Sequence, residues 1–114
     1  ERNMQMKLGV VGSHGLKITR EDLARYIPAA ADEIVCSGAD LEALLKAHAK
    51  QAGLHYTAFP AESRQTGGLP SRRMLDYCDM ILAFWDGESR GVSAIIDYCA
   101  GCNKPVMIYK KRIT

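Results

Sequence analysis

Short apolar runs alternate along this chain with segments whose hydrophobic residues return at every third or fourth position. Met6 to Gly12 (MKLGVVG) is an apolar run ending in glycine and reads as a buried strand. Thr19, with Asp22 three residues later, gives a capping-box-like start to a short helix carrying Leu23, Ala24, Tyr26 and Ile27, which Pro28 helps to end. Glu33 to Ser37 (EIVCS) predicts a second strand. Leu41, Leu44, Leu45, His48, Ala49 and Ala52 then fall at helical spacing up to Gly53, a good helix stop. Leu54 to Phe59 (LHYTAF) alternates and carries aromatic and β-branched residues, which predicts a third strand. From Pro60 to Pro70 the residues turn polar and glycine-containing. A loop is expected there, mobile over Glu62 to Leu69 and closing over a ligand about Gly67-Gly68. Ser71 caps a helix to Tyr77, Asp79 to Trp85 (DMILAFW) is the strongest strand signal, and Ser89 to Cys102 has a helical face of Val92, Ile95, Ile96 and Cys99. Pro105 to Tyr109 supplies a fifth strand.

Five strands and four helices thus alternate along the chain. That order predicts a Rossmann-like three-layer α/β sandwich with a mainly parallel five-stranded sheet and helices on both faces. With 114 residues, 47% of them hydrophobic and 25% charged, the chain suits one core, so residues 1–114 are expected to form a single domain. The net charge of +2 is dispersed, which argues against nucleic acid as a partner, and Lys110-Lys111-Arg112 reads as a solubilising end. No apolar run approaches the roughly 20 residues that cross a bilayer, and the first residues lack a leader pattern. A cytoplasmic protein without a membrane partner is expected. Cys36, Cys78, Cys99 and Cys102 lie in or beside apolar segments and read as small buried hydrophobes of a reducing compartment. Cys99 and Cys102 lack the second pair that a zinc site needs, and no metal or cofactor is expected.

In a parallel sheet the loops at the carboxyl ends of the strands converge, and ligands bind where the strand order reverses. Three such loops carry small or polar residues: Gly12-Ser13-His14-Gly15, Ser37-Gly38-Ala39-Asp40, and Asp86-Gly87-Glu88-Ser89-Arg90-Gly91. Glycine lets backbone N–H groups approach closely, and a following helix offers unpaired N–H groups, so phosphate suits these loops. No Walker pattern is present, and the first loop does not extend to G-x-G-x-x-G, which argues against a standard ATPase or dinucleotide dehydrogenase.

Gly9-Val10-Val11-Gly12-Ser13, Ser37-Gly38-Ala39-Asp40, Arg72-Arg73-Met74-Leu75 and, above all, Ala83-Phe84-Trp85-Asp86-Gly87-Glu88-Ser89-Arg90-Gly91 resemble the small stand-alone SLOG proteins of the YspA-like or cpYpsA-related branch. The resemblance spans nearly the whole chain. It implies a Rossmann-like domain related to the DprA and LOG proteins, binding nucleotides or nucleotide-derived signals such as ADP-ribose-like or cyclic nucleotides, as a sensor or sponge in bacterial stress or phage conflict. The second loop is shorter than in such relatives, Pro70-Ser71-Arg72 replaces their Arg-Asn-Arg, and Val92 replaces a threonine. Related LOG phosphoribohydrolases cleave an N-glycosidic bond with an arginine and a glutamate. Here Ile95 stands at the position of that glutamate, with Asp86 and Asp97 the nearby carboxylates, which favours binding over catalysis.

The expected ligand-binding residues are Gly12, Ser13, His14, Ser37, Gly38, Asp40, Arg72, Trp85, Asp86, Gly87, Ser89, Arg90 and Gly91. Ser13 and Ser37 either donate to phosphate or cap turns, and Asp40 either accepts from ribose hydroxyls or caps a helix. Arg72 is the expected phosphate clamp, ahead of Arg73. Trp85 is the expected base-stacking residue while Phe84, on the opposite face, fills the core. Two other functions fit the same residues: a nucleotide N-glycosidase, and an oligomeric interaction module without a ligand.

Overall fold

A computed structural model describes residues 6–13, 15–37, 41–59 and 72–111. The elements run β1 (Met6–Gly12), α1 (Arg20–Tyr26), β2 (Ala31–Ser37), α2 (Glu42–Ala52), β3 (His55–Phe59), α3 (Arg72–Tyr77), β4 (Met80–Trp85), α4 (Arg90–Gly101) and β5 (Val106–Lys110). The loop expected from Pro60 to Pro70, and the mobile segment within it, lie outside the described residues, as does Ser71.

Every strand pairing among the described residues is parallel, and the order across the sheet is β3-β2-β1-β4-β5. This is the expected Rossmann-like arrangement. The inner strands β1 and β4 are continuous apolar runs because both of their faces are covered. On one face Leu8, Val10, Ile34, Cys36, Leu82 and Phe84 pack under Leu23 of α1 and Leu45 and Ala49 of α2. On the other, Val11, Val35, Ile81 and Ala83 pack under Met74 and Leu75 of α3 and Val92, Ile95 and Cys99 of α4. The chain builds outward from β1 in one direction and from β4 in the other. Right-handed crossovers therefore put the first two helices on one face and the last two on the opposite face.

Local signals account for the helix ends. Thr19 and Asp22 form a complete capping box: the Asp22 N–H donates to Thr19 Oγ1 at 3.1 Å, and the Thr19 N–H donates to Asp22 Oδ2 at 3.0 Å. Gly53 ends α2 in the left-handed region at φ 74°, where a side chain would be strained. Two polar side chains are buried among the described residues, Ser13 and Glu33. Glu33 Oε2 accepts from Thr57 Oγ1 at 2.7 Å and from Tyr77 Oη at 2.6 Å, which ties α3 to β2 and β3.

Cys36, Cys78 and Cys99 are buried, as expected of small hydrophobes, whereas Cys102 is exposed at the end of α4. Burial pushes the Cys78 thiol up to about 12 and raises that of Cys99. No described helix is long and apolar enough to cross a membrane.

Candidate functional site

The order β3-β2-β1-β4-β5 places the topological switch point between β1 and β4. The connections leaving these two strands turn to opposite faces, so a crevice opens beyond their carboxyl ends. Gly12 ends β1. A Cβ there would lie 3.1 Å from Ile18 Cδ1 and 3.2 Å from Leu41 Cδ1, so glycine lets both side chains close over the strand end.

Ser13 follows, 5% exposed, and joins the two strands beyond the sheet. Its N–H donates to the Phe84 carbonyl at 2.9 Å, and its Oγ accepts from the Asp86 N–H at 3.1 Å. The Leu16 N–H returns to the Ser13 carbonyl at 3.1 Å, closing a tight turn with Gly15 at φ 80°. His14, within that turn, lies outside the described residues, and so do Gly38 and Asp40 of the second loop.

The fourth-strand loop is built by its own side chains. Asp86 Oδ1 accepts from the N–H groups of Glu88 at 2.8 Å and Ser89 at 2.7 Å, and Gly87 between them takes φ 89°. Ser89 is the N-cap of α4, with its Oγ accepting from the Val92 N–H at 3.3 Å. Trp85 Nε1 donates to the Ser89 carbonyl at 3.0 Å, so the indole holds the loop from below. With these bonds made, the N–H groups of Gly87, Arg90 and Gly91 have no protein partner among the described residues. They lie where a glycine and the first turn of a twelve-residue helix meet, an arrangement suited to an anion.

A residue absent from the expected list completes this edge. Lys110, last in β5, is the register partner of Trp85. Its stem crosses Gly87 so closely that a Cβ there would lie 2.6 Å from Lys110 Cε, and its ammonium sits 5.9 Å from the centre of the Trp85 ring. Lys110 has no carboxylate partner among the described residues, while its neighbour Lys111 is held by Asp22 at 2.6 Å. The sequence signal that identifies Lys110 is strand alternation, which sends Lys110 and Lys111 to opposite faces.

The structure thus brings together Gly12, Ser13, Trp85, Asp86, Gly87, Ser89, Arg90 and Gly91. Ser37 ends β2, one strand away, and its Oγ is buried without a hydrogen-bond partner among the described residues. Arg72 is exposed, and its guanidinium lies 5.5 Å from the centre of the Tyr98 ring. Tyr98 is eight residues beyond the start of α4, about 12 Å along the helix axis from the loop. The Arg72 guanidinium therefore lies beside the Tyr98 ring of α4. Comparison of the chain with protein-family models, with curated proteins and with solved structures gives no match.

The Glu88 and Ser89 N–H groups hold the Asp86 carboxyl below its ordinary value of 3.8. The folded value is the lower one, so the stabilisation of the loop is complete above the ordinary value and is lost as pH falls through the folded one. Trp85, the one tryptophan, reports on the loop through its bond to Ser89. Its emission is expected to change with an acid midpoint below 3.8, and Asp86→Asn is expected to abolish that step. A midpoint at or above 3.8, or an unchanged step in the variant, contradicts this role.

Proposed function

We propose that this domain binds a phosphorylated nucleotide or nucleotide-derived signalling molecule at the switch point between β1 and β4, as a sensor or sponge of the SLOG type. The observation that carries the reading is the juxtaposition of the Ser13 and Asp86 loops, with N–H groups at Gly87, Arg90 and Gly91 on the same edge that have no partner among the described residues. A phosphate placed there receives backbone hydrogen bonds, the favourable end of the α4 dipole and the Lys110 charge. Trp85 offers its ring beside that phosphate, and a stacked base displaces the Lys110 ammonium from it.

Binding is favoured over glycosidic cleavage by where the carboxylates stand. Ile95, at the position of the hydrolases' glutamate, is 4% exposed and packs into the sheet with Val92 and Cys99. Asp86 is engaged by two backbone N–H groups, and Asp97 is exposed on α4. A general acid or base needs a carboxyl free to reach the sugar. That of Asp86 is bonded within its loop, and Asp97 lies about 10 Å along the helix axis from the start of α4. Glu88, exposed in the loop itself, is the carboxylate a hydrolase would have to use.

The test is titration calorimetry with adenosine monophosphate, ADP-ribose and a cyclic nucleotide, followed by chromatography of the recovered ligand. Saturable binding of at least one, recovered intact, is expected. Release of free base at enzyme-like turnover, lost in Glu88→Ala, Asp86→Ala or Asp97→Ala, would instead establish a hydrolase. No binding to any of the three, together with no nucleotide retained in native mass spectrometry of the purified protein, would leave the interaction module.

A further inference from the structure

We propose that the groove between α2 and the outer edge of β3 is a docking site for an extended acidic peptide, which adds as a strand beside β3. Among the described residues β3 pairs only with β2, so its outer edge carries no strand. Beside that edge lies an open cavity of about 400 Å³ lined by Lys46, Ala47, Ala49, Lys50, Leu54 and Tyr56. Leu54 and Tyr56 give it an apolar floor. The two lysines stand at its rim, with Lys46 Nζ 6.0 Å from the centre of the Tyr56 ring.

Edge strands are commonly guarded against further pairing by charged side chains or proline within the strand. The β3 strand, HYTAF, has no lysine, arginine, carboxylate or proline. The positive charge beside it is set back on α2, off the backbone edge, and selects the charge of what pairs there.

Charge also decides between occupants. Lys46 and Lys50 form no ion pair with a described carboxylate, including Glu42 one turn earlier on α2. Antiparallel pairing of β3 with β3 of a second copy would extend one sheet with both α2 helices on the same face. The lysines of the two copies would then meet each other, a like-charge contact that costs affinity. An acidic strand meets them favourably. Four residues of helix rise about 6 Å and two residues of strand about 6.6 Å, so acidic side chains two apart in the peptide match Lys46 and Lys50. An apolar side chain on the same face of the peptide covers Tyr56 and Leu54. Backbone bonds to β3 supply affinity and the groove supplies selectivity, the division of labour seen in strand addition generally.

The experiment selects a random octapeptide display library on the intact protein, then measures the enriched peptides by fluorescence anisotropy against wild type, Lys46→Glu/Lys50→Glu and Gly91→Asp. Lys46 and Lys50 are exposed, so the double variant is expected to fold normally. Enriched peptides are expected to carry acidic residues two apart. They should bind at least tenfold more weakly to the double variant, weaken with salt, and lose binding when alternate backbone amides are N-methylated. Unchanged affinity in Gly91→Asp separates this groove from the switch-point site and is expected whether or not a nucleotide binds there. Absence of enrichment, enrichment without acidic residues, equal binding to the double variant, or loss in Gly91→Asp alone would overturn the proposal. So would a dimer seen by light scattering that dissociates when Ala58, exposed on β3, is changed to Lys.

Discussion

Gly9→Val is expected to lower the stability of the domain by about 3 kcal/mol, a drop in melting temperature on the order of 15 °C for a chain of this size. Gly9 lies at the centre of β1, paired with Val35 on one side and Ile81 on the other. A Cβ there would stand 2.7 Å from Cys78 Sγ, 2.8 Å from Ile81 Cδ1 and 3.3 Å from Met74 Cε. These are ends of side chains, but all three residues are at most 1% exposed, so none has open space to move into. The better strand propensity of valine, worth at most about 1 kcal/mol, offsets part of the cost. Denaturant unfolding measures the difference. The cause is separable from a general intolerance of β1, because Ile81→Val removes the Cδ1 atom in question. Ile81→Val alone costs about 1 kcal/mol, yet combined with Gly9→Ala it is expected to recover part of the Gly9→Ala loss. A Gly9→Ala protein as stable as wild type would show that the core accommodates the methyl group and would refute the account.

Gly9 also marks a limit of what periodicity conveys. The run MKLGVVG identifies a buried strand, because residues covered on both faces need not alternate, and β4 is legible for the same reason. Nothing in the run says that α3 presses on the glycine. That contact comes from Met74 and Cys78, more than sixty residues later. The helix ends read correctly where a side chain or a glycine supplies the missing hydrogen bond locally, as at Thr19, Gly53 and Ser89. Strand ends were less legible. β2 begins at Ala31, ahead of the expected Glu33, because Asp32 Oδ2 accepts the Met6 N–H at 2.8 Å beside a register shift in β1. A side chain does there what the ladder does elsewhere, and aspartate is otherwise a poor strand residue. β5 begins at Val106 because Pro105 has no N–H, although its carbonyl accepts from Ile81 at 3.0 Å.

The same distinction between local and distant partners runs through the candidate site. Ser13, Asp86, Gly87 and Ser89 were legible because each acts on backbone within its own loop or at the end of the adjacent strand. Trp85 was expected to stack on a base, and its indole N–H is already held by Ser89, which fixes the ring at the loop. Arg72 is expected as a phosphate clamp, and its exposed guanidinium lies 5.5 Å from the centre of the Tyr98 ring, a neighbour on another helix that the sequence does not announce. Glu33 read as an ordinary strand residue. Its partner Tyr77 is 44 residues on, and only the packing of α3 brings them together. Lys110 reads as part of a basic tail because three consecutive cations after a strand are usually solvated. The register of β5 on β4 pairs it with Trp85 and leaves its charge unopposed among the described residues.

Lys110 and Gly91 together give the sharpest test of the ligand site. For a nucleotide bound as proposed, Lys110→Ala is expected to weaken adenosine monophosphate binding about tenfold, and Lys110→Glu at least about a hundredfold, by replacing an attraction with a repulsion at an exposed edge. Gly91→Asp should be at least as damaging, for a reason that separates binding from folding. Gly91 is the second residue of α4, where an aspartate favours the helix through its dipole and replaces a residue that weakens it. The variant is therefore expected to be as stable as wild type while its carboxylate stands among the N–H groups meant for the phosphate. Lys111→Ala is the matched control. Its ammonium is held by Asp22 on the opposite face, so it is expected to lower stability without changing affinity. Calorimetry on the four variants, with thermal unfolding of each, reads both quantities. If Lys110→Glu and Gly91→Asp bind adenosine monophosphate as wild type does, the phosphate is not at the start of α4, and the switch-point site must be abandoned for that ligand.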